Sequence, residues 1–411
     1  MHRIGRRERR ARLGLRHRLA PGSAVTWAGP PGSAESPGSA GPPGVARSLV
    51  AVHSTDPSSV YLGLLGRMAD GSLTAVEHAL YQERTLIRLL GMRRTVFVTT
   101  LDGAALIQAA CGRVVAARER RKVVGWLAAA GIGAGPAGAD GWLAEVEQVA
   151  LRALADRGEA TAAELAAADP RLKTEIVLSA GKSYQGRQTV GSRVLFLLAA
   201  QGLAVRGRPR GSWTSHQYRW SPLSRWCPDG LADWATEDAE VELARRWLYA
   251  YGPATPADLQ WWTGWTATQT RRVLTRLRPA EADLDGEPGI VLADDRAPVP
   301  EQPPWVALLP GLDSTPMGWQ GRDWFLGEHG PRLFDRAGNV GPTLWCDGRI
   351  AGGWAQDPDG QIVCRFLEDV GSEAVAAAEA AAARLAAVLG PVRLTARTRG
   401  KTWLEEELAA R

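Results

Sequence analysis

The chain has 411 residues, of which 45% are hydrophobic and 23% are charged, a composition typical of a globular protein with about two to four domains. No stretch approaches the ~18 uninterrupted apolar residues of a membrane span, and the four cysteines form no CxxC pair, so cytoplasmic localisation with reduced thiols is expected. The net charge of +5 favours an anionic partner.

The N-terminal unit, residues 1–135, is predicted to be helical with one hairpin. Helices are expected over residues 6–19, 45–52, 57–68, 102–117 and 118–130. The Gly/Pro/Ser-rich residues 29–44 read as a flexible insertion that cannot pack a core. Residues 74–100 predict a short helix and two strands around a turn at 91–94, which is typical of a winged helix.

Residues 136–228 show the winged-helix order of helix, short helix, helix and basic hairpin. The third helix is predicted over residues 187–200, and "RGRPRG" marks the wing. Residues 229–298 repeat this order, and "TPADL" from Thr255 is similar to "TAAEL" from Thr161. The sequence therefore predicts a second and a third winged helix.

Residues 299–411 change to short, Trp- and Val-rich strands. The pairs Asp347-Gly348 and Asp359-Gly360 are hairpin turn signals. A helix over residues 372–389 and a last strand over 392–396 are expected to close this unit. The predicted fold class is α+β, with tandem winged-helix domains followed by a small strand-rich C-terminal domain that includes a terminal helix.

Several stretches, in this order, resemble one bacterial winged-helix DNA-binding family that includes the AlkZ-like and YcaQ-like DNA glycosylases. They are "VHSTDPSSVYL", "ERTLIRLLGMRRTVFVT", "GPATPADLQWWTGW", "WVALLPGLDSTPMGW" and "LWCDGRIAGGW". In the glycosylases, the segment similar to "VHSTDP" carries a Gln-x-Gln or Gln-x-Asp pair that positions water against the C1′ carbon of an alkylated nucleotide. This chain departs from that pattern, because His53 and Thr55 stand at the two positions.

The resemblance makes His53, Thr55 and Asp56 the candidate catalytic residues. His53 could act as a base or orient water, and Thr55 could share that water. Asp56 could stabilise a developing cation or hold His53 in one tautomer. Two structural alternatives stay open: Asp56 is also placed to cap the following helix, and His53 could be a satisfied buried histidine.

Basic and amide side chains form the candidate DNA-binding set, with solvated surface as the alternative for each group. Arg84, Arg88, Arg93 and Arg94 flank the first hairpin, Arg187, Gln188 and Arg193 lie on the predicted third helix of the second unit, and Arg206, Arg208 and Arg210 lie in its wing. Phosphate or base contact would suit these residues. The expected partner is double-stranded DNA, damaged DNA included.

The predicted function is that of a monofunctional DNA glycosylase that excises alkylated or bulky-adducted bases by water-mediated hydrolysis of the N-glycosidic bond. No lysine is near His53 in sequence to form a Schiff base, and neither a metal nor a cofactor is expected. The alternative is a non-catalytic DNA-binding protein, either a transcription factor or a sensor or sequesterer of damaged DNA or a genotoxin. A monomer is expected in either case.

Overall fold

The protein is a mixed α/β chain whose helices alternate with small sheets. The computed structural model describes residues 2–21, 23, 41–179, 181, 183, 185–394 and 401–409. Most of the predicted insertion at 29–44 lies outside these residues, and a helix already begins at Pro42. None of the helices in the described ranges is long and apolar enough to cross a membrane.

The strands of the first unit are β1 (His2–Arg3), β2 (Val52–His53), β3 (Leu86–Leu90) and β4 (Val96–Thr100). The last three form an antiparallel sheet in the order β2-β4-β3. The helices of this unit are α1 (Arg6–Arg16), α2 (Pro42–Ser48), α3 (Pro57–Leu65), α4 (Leu73–Glu77), α5 (Leu101–Ile107) and α6 (Arg113–Ala129). The predicted hairpin is confirmed as β3 and β4. The two helices predicted after it run on through a π-helical turn, Gln108–Gly112.

The predicted helix over residues 45–52 is wrong in its second half. The helix ends at Ser48, Val50 takes a left-handed φ of 61°, and Val52 and His53 pair with Val98 and Phe97 of β4. The β-branched Val50 and Val52 disfavour helix, and the open edge of β4 offers their backbone a partner. His53 therefore lies in a strand and not at the end of a helix.

The second unit packs a separate hydrophobic core, to which α6 of the first unit contributes Val123 and Leu127. Its elements are α7 (Gly135–Arg157), α8 (Ala162–Ala166), β5 (Glu175–Leu178), β6 (Gly186–Thr189), α9 (Val190–Ala200), β7 (Ala204–Pro209) and β8 (Tyr218–Pro222). The helix predicted over residues 187–200 begins late, because β6 pairs with β5 and the Thr189 side chain caps α9 by accepting the Ser192 N–H. Arg187 and Gln188 consequently lie in a strand and not on the helix.

The third unit repeats a run of helices and a hairpin, to which the N-terminus adds a strand. Its elements are α10 (Thr236–Tyr251), α11 (Pro256–Thr263), α12 (Ala267–Leu277), β9 (Ala280–Leu284) and β10 (Glu287–Val291). Thr255 and Asp258 form the capping box that begins α11. The short β1 pairs in parallel with β9, a contact that the sequence did not predict.

The C-terminal unit contains a four-stranded antiparallel sheet whose strands follow one another in chain order, in a region where the sequence predicted short strands. Its elements are β11 (Val306–Leu309), α13 (Asp323–Leu326), α14 (Gly330–Leu333), β12 (Thr343–Cys346), β13 (Arg349–Gln356), β14 (Ile362–Phe366), α15 (Gly371–Leu389) and α16 (Trp403–Ala409). Asp347 and Gly348 form the expected hairpin turn with φ of 48° and 80°. The predicted last strand is absent at residues 392–394, and its remainder lies outside the described residues.

One hydrophobic core joins the first, third and C-terminal units. It contains Leu13 of α1, Trp247 of α10, Trp345 of β12 and Trp319 from the loop after β11. The packing fixes the loop that follows β11 against the start of the chain.

A buried ion pair holds that loop. The Arg67 guanidinium donates to both carboxylate oxygens of Asp313 at 2.9 and 2.7 Å, and the two side chains are 0% and 2% exposed. Arg67 also donates to the His17 carbonyl and to Thr315 Oγ1. The next residue, Ser314, accepts the His53 N–H at 2.9 Å and donates to the Ala51 carbonyl at 3.0 Å.

Replacing Arg67 with Met is expected to lower the free energy of unfolding by about 3–5 kcal/mol, because it leaves the Asp313 carboxylate buried without its partner. The measurement is urea denaturation followed by tryptophan fluorescence. Arg7→Met is the control, since the Arg7–Glu301 pair is 84% and 76% exposed and should contribute less than about 1 kcal/mol. Equal losses in the two variants would contradict the anchoring role of Arg67.

Candidate active site

His53 is a buried, neutral imidazole at the edge of the first sheet. It is 7% exposed, and its ring meets Phe97 edge to face at 5.6 Å. Burial, assisted by the Arg93 cation, lowers the pKa of His53 to about 3. Nδ1 is buried and has no hydrogen-bond partner among the described residues. His53 is therefore not a satisfied core histidine, because a buried polar atom without a partner is costly.

Asp56 caps α3, which is the structural alternative that the sequence left open for this residue. Its carboxylate accepts the Ser59 N–H at 2.9 Å and the Ser59 hydroxyl at 3.0 Å, and it lies 3.7 Å from His216 Nε2. It lines a cavity of about 80 Å³ that also includes Lys401. His53 is not among the lining residues of that cavity, so Asp56 and His53 face different spaces.

His53 and Thr55 instead open into a larger cavity of about 420 Å³ between the first, second and C-terminal units. We call it the His53 cavity. Its lining residues are His53, Thr55, Leu90, Arg93, Arg94, Thr95, Val96, Phe196, Arg206, Leu312, Asp335 and Asn339. The structure thus brings together two of the three predicted catalytic residues and three of the predicted DNA-binding arginines.

Two of these arginines stand in a strained turn. Arg93 and Arg94 have φ of 51° and 63°, which costs ~1–2 kcal/mol per residue for a side chain other than Gly. The Arg93 guanidinium lies 3.8 Å from the Trp261 ring centroid, and Arg94 Nε pairs with Glu119 at 2.8 Å. Strain held in place by such contacts is typical of functional sites.

Positive charge accumulates around the His53 cavity. Burial lowers the pKa of Arg93 to about 10, and it also lowers the pKa of Arg206, whose described side-chain contacts are with the Tyr218 and Trp220 rings. Arg193 lies over Phe196, and burial followed by the nearby Arg94 lowers its pKa. These guanidinium groups lack the solvation they would have in water, so an anion is a favourable ligand.

The other predicted DNA-binding residues lie elsewhere. Arg84 donates to the Arg225 carbonyl, Arg208 pairs with Glu77 at 2.6 Å, and Arg88 is only 3% exposed. The Arg88 guanidinium donates to Tyr81 and Ser54 inside the protein. Arg187, Gln188 and Arg210 are exposed but do not line the His53 cavity.

Sequence reasoning missed Asp335 and Asn339, which reach the His53 cavity from the C-terminal unit. The stretch "DRAGN", residues 335–339, carries a visible turn signal. Nothing local indicates that this turn faces His53, which lies in another unit. The described residues hold no group of three or more His, Cys, Asp or Glu that could bind a metal ion.

A family model described as DNA glycosylase AlkZ-like matches residues 46–388. The chain therefore belongs to the AlkZ-like DNA glycosylase family. Its fold is similar to that of the Streptomyces sahachiroi DNA glycosylase AlkZ, with a TM-score of 0.69 and 21% identity over 96% of this chain and 99% of that chain. No curated protein matches the sequence.

The low pKa of His53 predicts an acid-sensitive contribution to stability. Folding lowers this pKa below its unfolded value of ~6.5, so the contribution is fully present above that pH and is lost as the pH falls toward about 3. His53→Gln should remove ~1.4 kcal/mol of destabilisation for each pH unit below ~6.5. The measurement is urea denaturation between about pH 7 and pH 5.

His17 provides an internal reference for this experiment. Its pKa is also lowered well below the ordinary value, by burial and then by Arg67, so part of the acid sensitivity should persist in His53→Gln. Identical pH slopes for the wild type and the variant would mean that His53 titrates normally in the folded protein.

Proposed function

We propose that the chain is a monofunctional DNA glycosylase that excises alkylated or bulky-adducted bases by hydrolysis of the N-glycosidic bond. The observation that carries the proposal is the placement of His53, with its unpartnered Nδ1, and Thr55 in a cavity bordered by arginines. These two residues occupy the positions where the resemblance implies a water-positioning pair. The family to which the chain belongs supports the same chemistry.

The reaction makes modest demands on the protein. A cationic N-alkylated purine leaves with the electrons of the C1′–N bond, so the protein has to bind the nucleotide, exclude bulk water and orient one water molecule. A neutral imidazole is a hydrogen-bond acceptor for that water, and the Thr55 hydroxyl is a second partner. Lys401 lines the neighbouring Asp56 cavity and not the His53 cavity, which supports hydrolysis by water and not by a lysine adduct.

The DNA backbone would be held by the arginines. Arg93, Arg94 and Arg206, which line the His53 cavity, would bind phosphates beside the reacting nucleotide. Arg187, Arg193 and Arg210, which do not line it, would contact a longer duplex. Gln188, next to Arg187, is an exposed group able to reach a base edge or a phosphate.

We further propose that the four units of the sequence prediction are the domains of the protein. They are a winged-helix-like residues 1–135, two winged helices at 136–228 and 229–298, and a strand-rich C-terminal domain at 299–411. The order of helices followed by the hairpins β7-β8 and β9-β10 supports the two winged helices.

The second candidate function is non-catalytic binding of DNA by a transcription factor, or by a protein that senses or sequesters damaged DNA or a genotoxin. The observation that favours it is the clustering of guanidinium groups around His53, since cations near the site raise the energy of a cationic sugar. An excision assay separates the two candidates.

Wild-type protein is expected to excise 7-methylguanine from a labelled duplex under single-turnover conditions. His53→Ala should react at least ~100-fold more slowly, because it loses the group that orients water. His78→Ala is the control, since His78 is half exposed and outside the His53 cavity. No excision from several alkylated duplexes would reject the enzyme, and equal rates for wild type and His53→Ala would reject His53.

Affinity for duplex DNA is expected to fall steeply with salt, because neutralised phosphates release counterions. Arg206→Ala should reduce the slope of log Kd against log salt by ~0.9 if it removes one phosphate contact. Arg276→Ala is the matched control, because Arg276 is paired with Asp238 at 2.7 Å on the third unit. A salt response that is flat for the wild type would contradict the phosphate contacts.

A further inference from the structure

We propose that Arg322 and Arg93 form a phosphate site on the Trp261 ring, which holds the DNA backbone beside the nucleotide that reacts. The inference rests on the proposed function and deepens it. It adds a DNA-binding residue from the C-terminal unit, and it gives the third unit a part in binding through the tryptophan of α11.

Two guanidinium groups lie on one indole ring. The guanidinium carbon of Arg93 is 3.8 Å from the Trp261 ring centroid, and that of Arg322 is 5.0 Å from the same centroid. Arg322 also lies over the Phe334 ring at 4.6 Å. Both arginines and Trp261 are half-buried, so the rings hold the two cations in place while part of each side chain stays open to solvent.

The two cations have no acid of their own in the described part of the chain. There, neither guanidinium forms an ion pair, and Arg93 Nε and Arg322 Nη2 are buried without a hydrogen-bond partner. Arg322 Nε donates to the Trp319 carbonyl at 3.0 Å. Burial lowers the pKa of Arg93 to about 10, and burial followed by the charge of Arg93 lowers the pKa of Arg322 to about 10. An anion that contacts both groups would replace the solvation they have lost and relieve their mutual repulsion.

Asp258 of α11 fixes the loop that carries Arg322. Its Oδ1 accepts the N–H groups of Gln320 and Gly321 at 2.9 and 2.8 Å, and its Oδ2 closes the capping box of α11. Asp258 and Trp261 are three residues apart, so one face of the helix holds the loop and carries the ring. The carboxylate favours the charged form of Arg322 from a distance, while its own oxygens are used by these hydrogen bonds.

Arg93 is fixed at the other end of α11, and it places the site beside the His53 cavity. Gly264, which follows the helix with a φ of 74°, leaves room for it, since a Cβ atom at that position would lie 3.0 Å from Arg93 Cγ. Arg93 lines the cavity, and Phe334 directly precedes the turn at 335–339 that contributes to the same lining. A nucleotide that enters the cavity carries a phosphate on each side, and one of them meets this border.

A second pair of arginines of the same build is balanced from within the protein. Arg94 and Arg193 lie over the Phe196 ring at 5.0 and 5.5 Å, but Arg94 Nε pairs with the Glu119 carboxylate at 2.8 Å. An internal acid therefore offsets part of that charge. The pair on Trp261 forms no such ion pair in the described ranges, and a phosphate of the DNA would supply the missing charge.

The first test is the salt dependence of binding to a duplex that carries one tetrahydrofuran abasic analogue, measured by fluorescence anisotropy. Arg322→Gln should bind ~10-fold more weakly, because a charge-assisted hydrogen bond is lost. It should also reduce the slope of log Kd against log salt by ~0.9, because one phosphate contact is lost. Arg322→Lys keeps the charge and should keep the slope, whereas a purely structural role would make the two variants behave alike.

Arg332→Gln is the matched control. Arg332 belongs to the same unit and likewise lies over an indole ring, that of Trp403 at 5.0 Å, but it does not line the His53 cavity. This variant should keep the affinity and the salt slope of the wild type.

The second test identifies the phosphate. Each phosphate near the abasic analogue is replaced, one at a time, by an uncharged methylphosphonate, and the loss of affinity is measured. Several positions should weaken binding of the wild type and of Arg332→Gln. For Arg322→Gln, one of these positions should cost less than ~2-fold, because its contact is already gone. Arg93→Gln should become insensitive at the same position, since the two guanidinium groups share one phosphate.

The outcomes separate the site from the proposed function. Insensitivity at one shared position, with the slope lowered by Arg322→Gln and kept by Arg322→Lys, supports the inference. Wild-type affinity in Arg322→Gln, equal slopes in the two Arg322 variants, or a weaker Arg322→Gln that still loses affinity at every position overturns it.

Excision of 7-methylguanine by the wild type decides the other level. If the wild type excises the base, the proposed function stands whatever the fate of the phosphate site. A wild type that binds the duplex without excision overturns the glycosylase alone, and the methylphosphonate result still decides the site. A wild type that neither excises nor binds overturns both.

Discussion

The candidate active site depends on the buried ion pair between Arg67 and Asp313. Arg67 follows α3, and Asp313 lies in the loop after β11, so the pair joins the first unit to the C-terminal unit. The loop then places Ser314 against the backbone of His53 and Leu312 in the lining of the His53 cavity. Because both charges are fully buried, each one needs the other, and the loop has a single favourable position.

A composite site follows from this anchoring. The His53 cavity takes His53 and Thr55 from the first unit, Arg206 from the second and Asp335 from the C-terminal unit. The shared aromatic core fixes the first and C-terminal units relative to each other. The hairpin β7-β8 reaches the first unit through the Arg208–Glu77 pair and the contact of Trp213 with Tyr61 at 5.0 Å. Fixed contacts of this kind allow a turn as strained as Arg93–Arg94 to persist.

The sequence predicted those features that local chemistry decides. Asp56-Pro57 signalled a helix start, and Asp347-Gly348 signalled a hairpin. The prediction from sequence failed where the structure of a segment depends on pairing with residues that are distant in the chain. The apolar run that ends in His53 fits a helix by its pattern, and only the edge of β4 makes it a strand.

Charge was equally ambiguous in the sequence. Arg88 lies inside the protein, Arg208 pairs with Glu77, and Arg206 lines the cavity, although all three were predicted alike to contact DNA. Tertiary packing places acidic side chains and aromatic rings beside some arginines. These contacts decide which arginines remain available to bind an anion. Asp335 was missed for the same reason, since its turn is visible in the sequence and its place in the lining of the His53 cavity is not.

The arginines and the neutral imidazole belong to one electrostatic arrangement. Burial and Arg93 keep His53 unprotonated, so it stays a hydrogen-bond acceptor at any pH near neutrality. The same cations that suit the DNA phosphates oppose a positive charge on the sugar, and a histidine held neutral cannot compensate for them. The turn at residues 335–339 lines the same cavity from a unit that shares its core with the first, so the C-terminal unit contributes part of the cavity wall as well as supporting it.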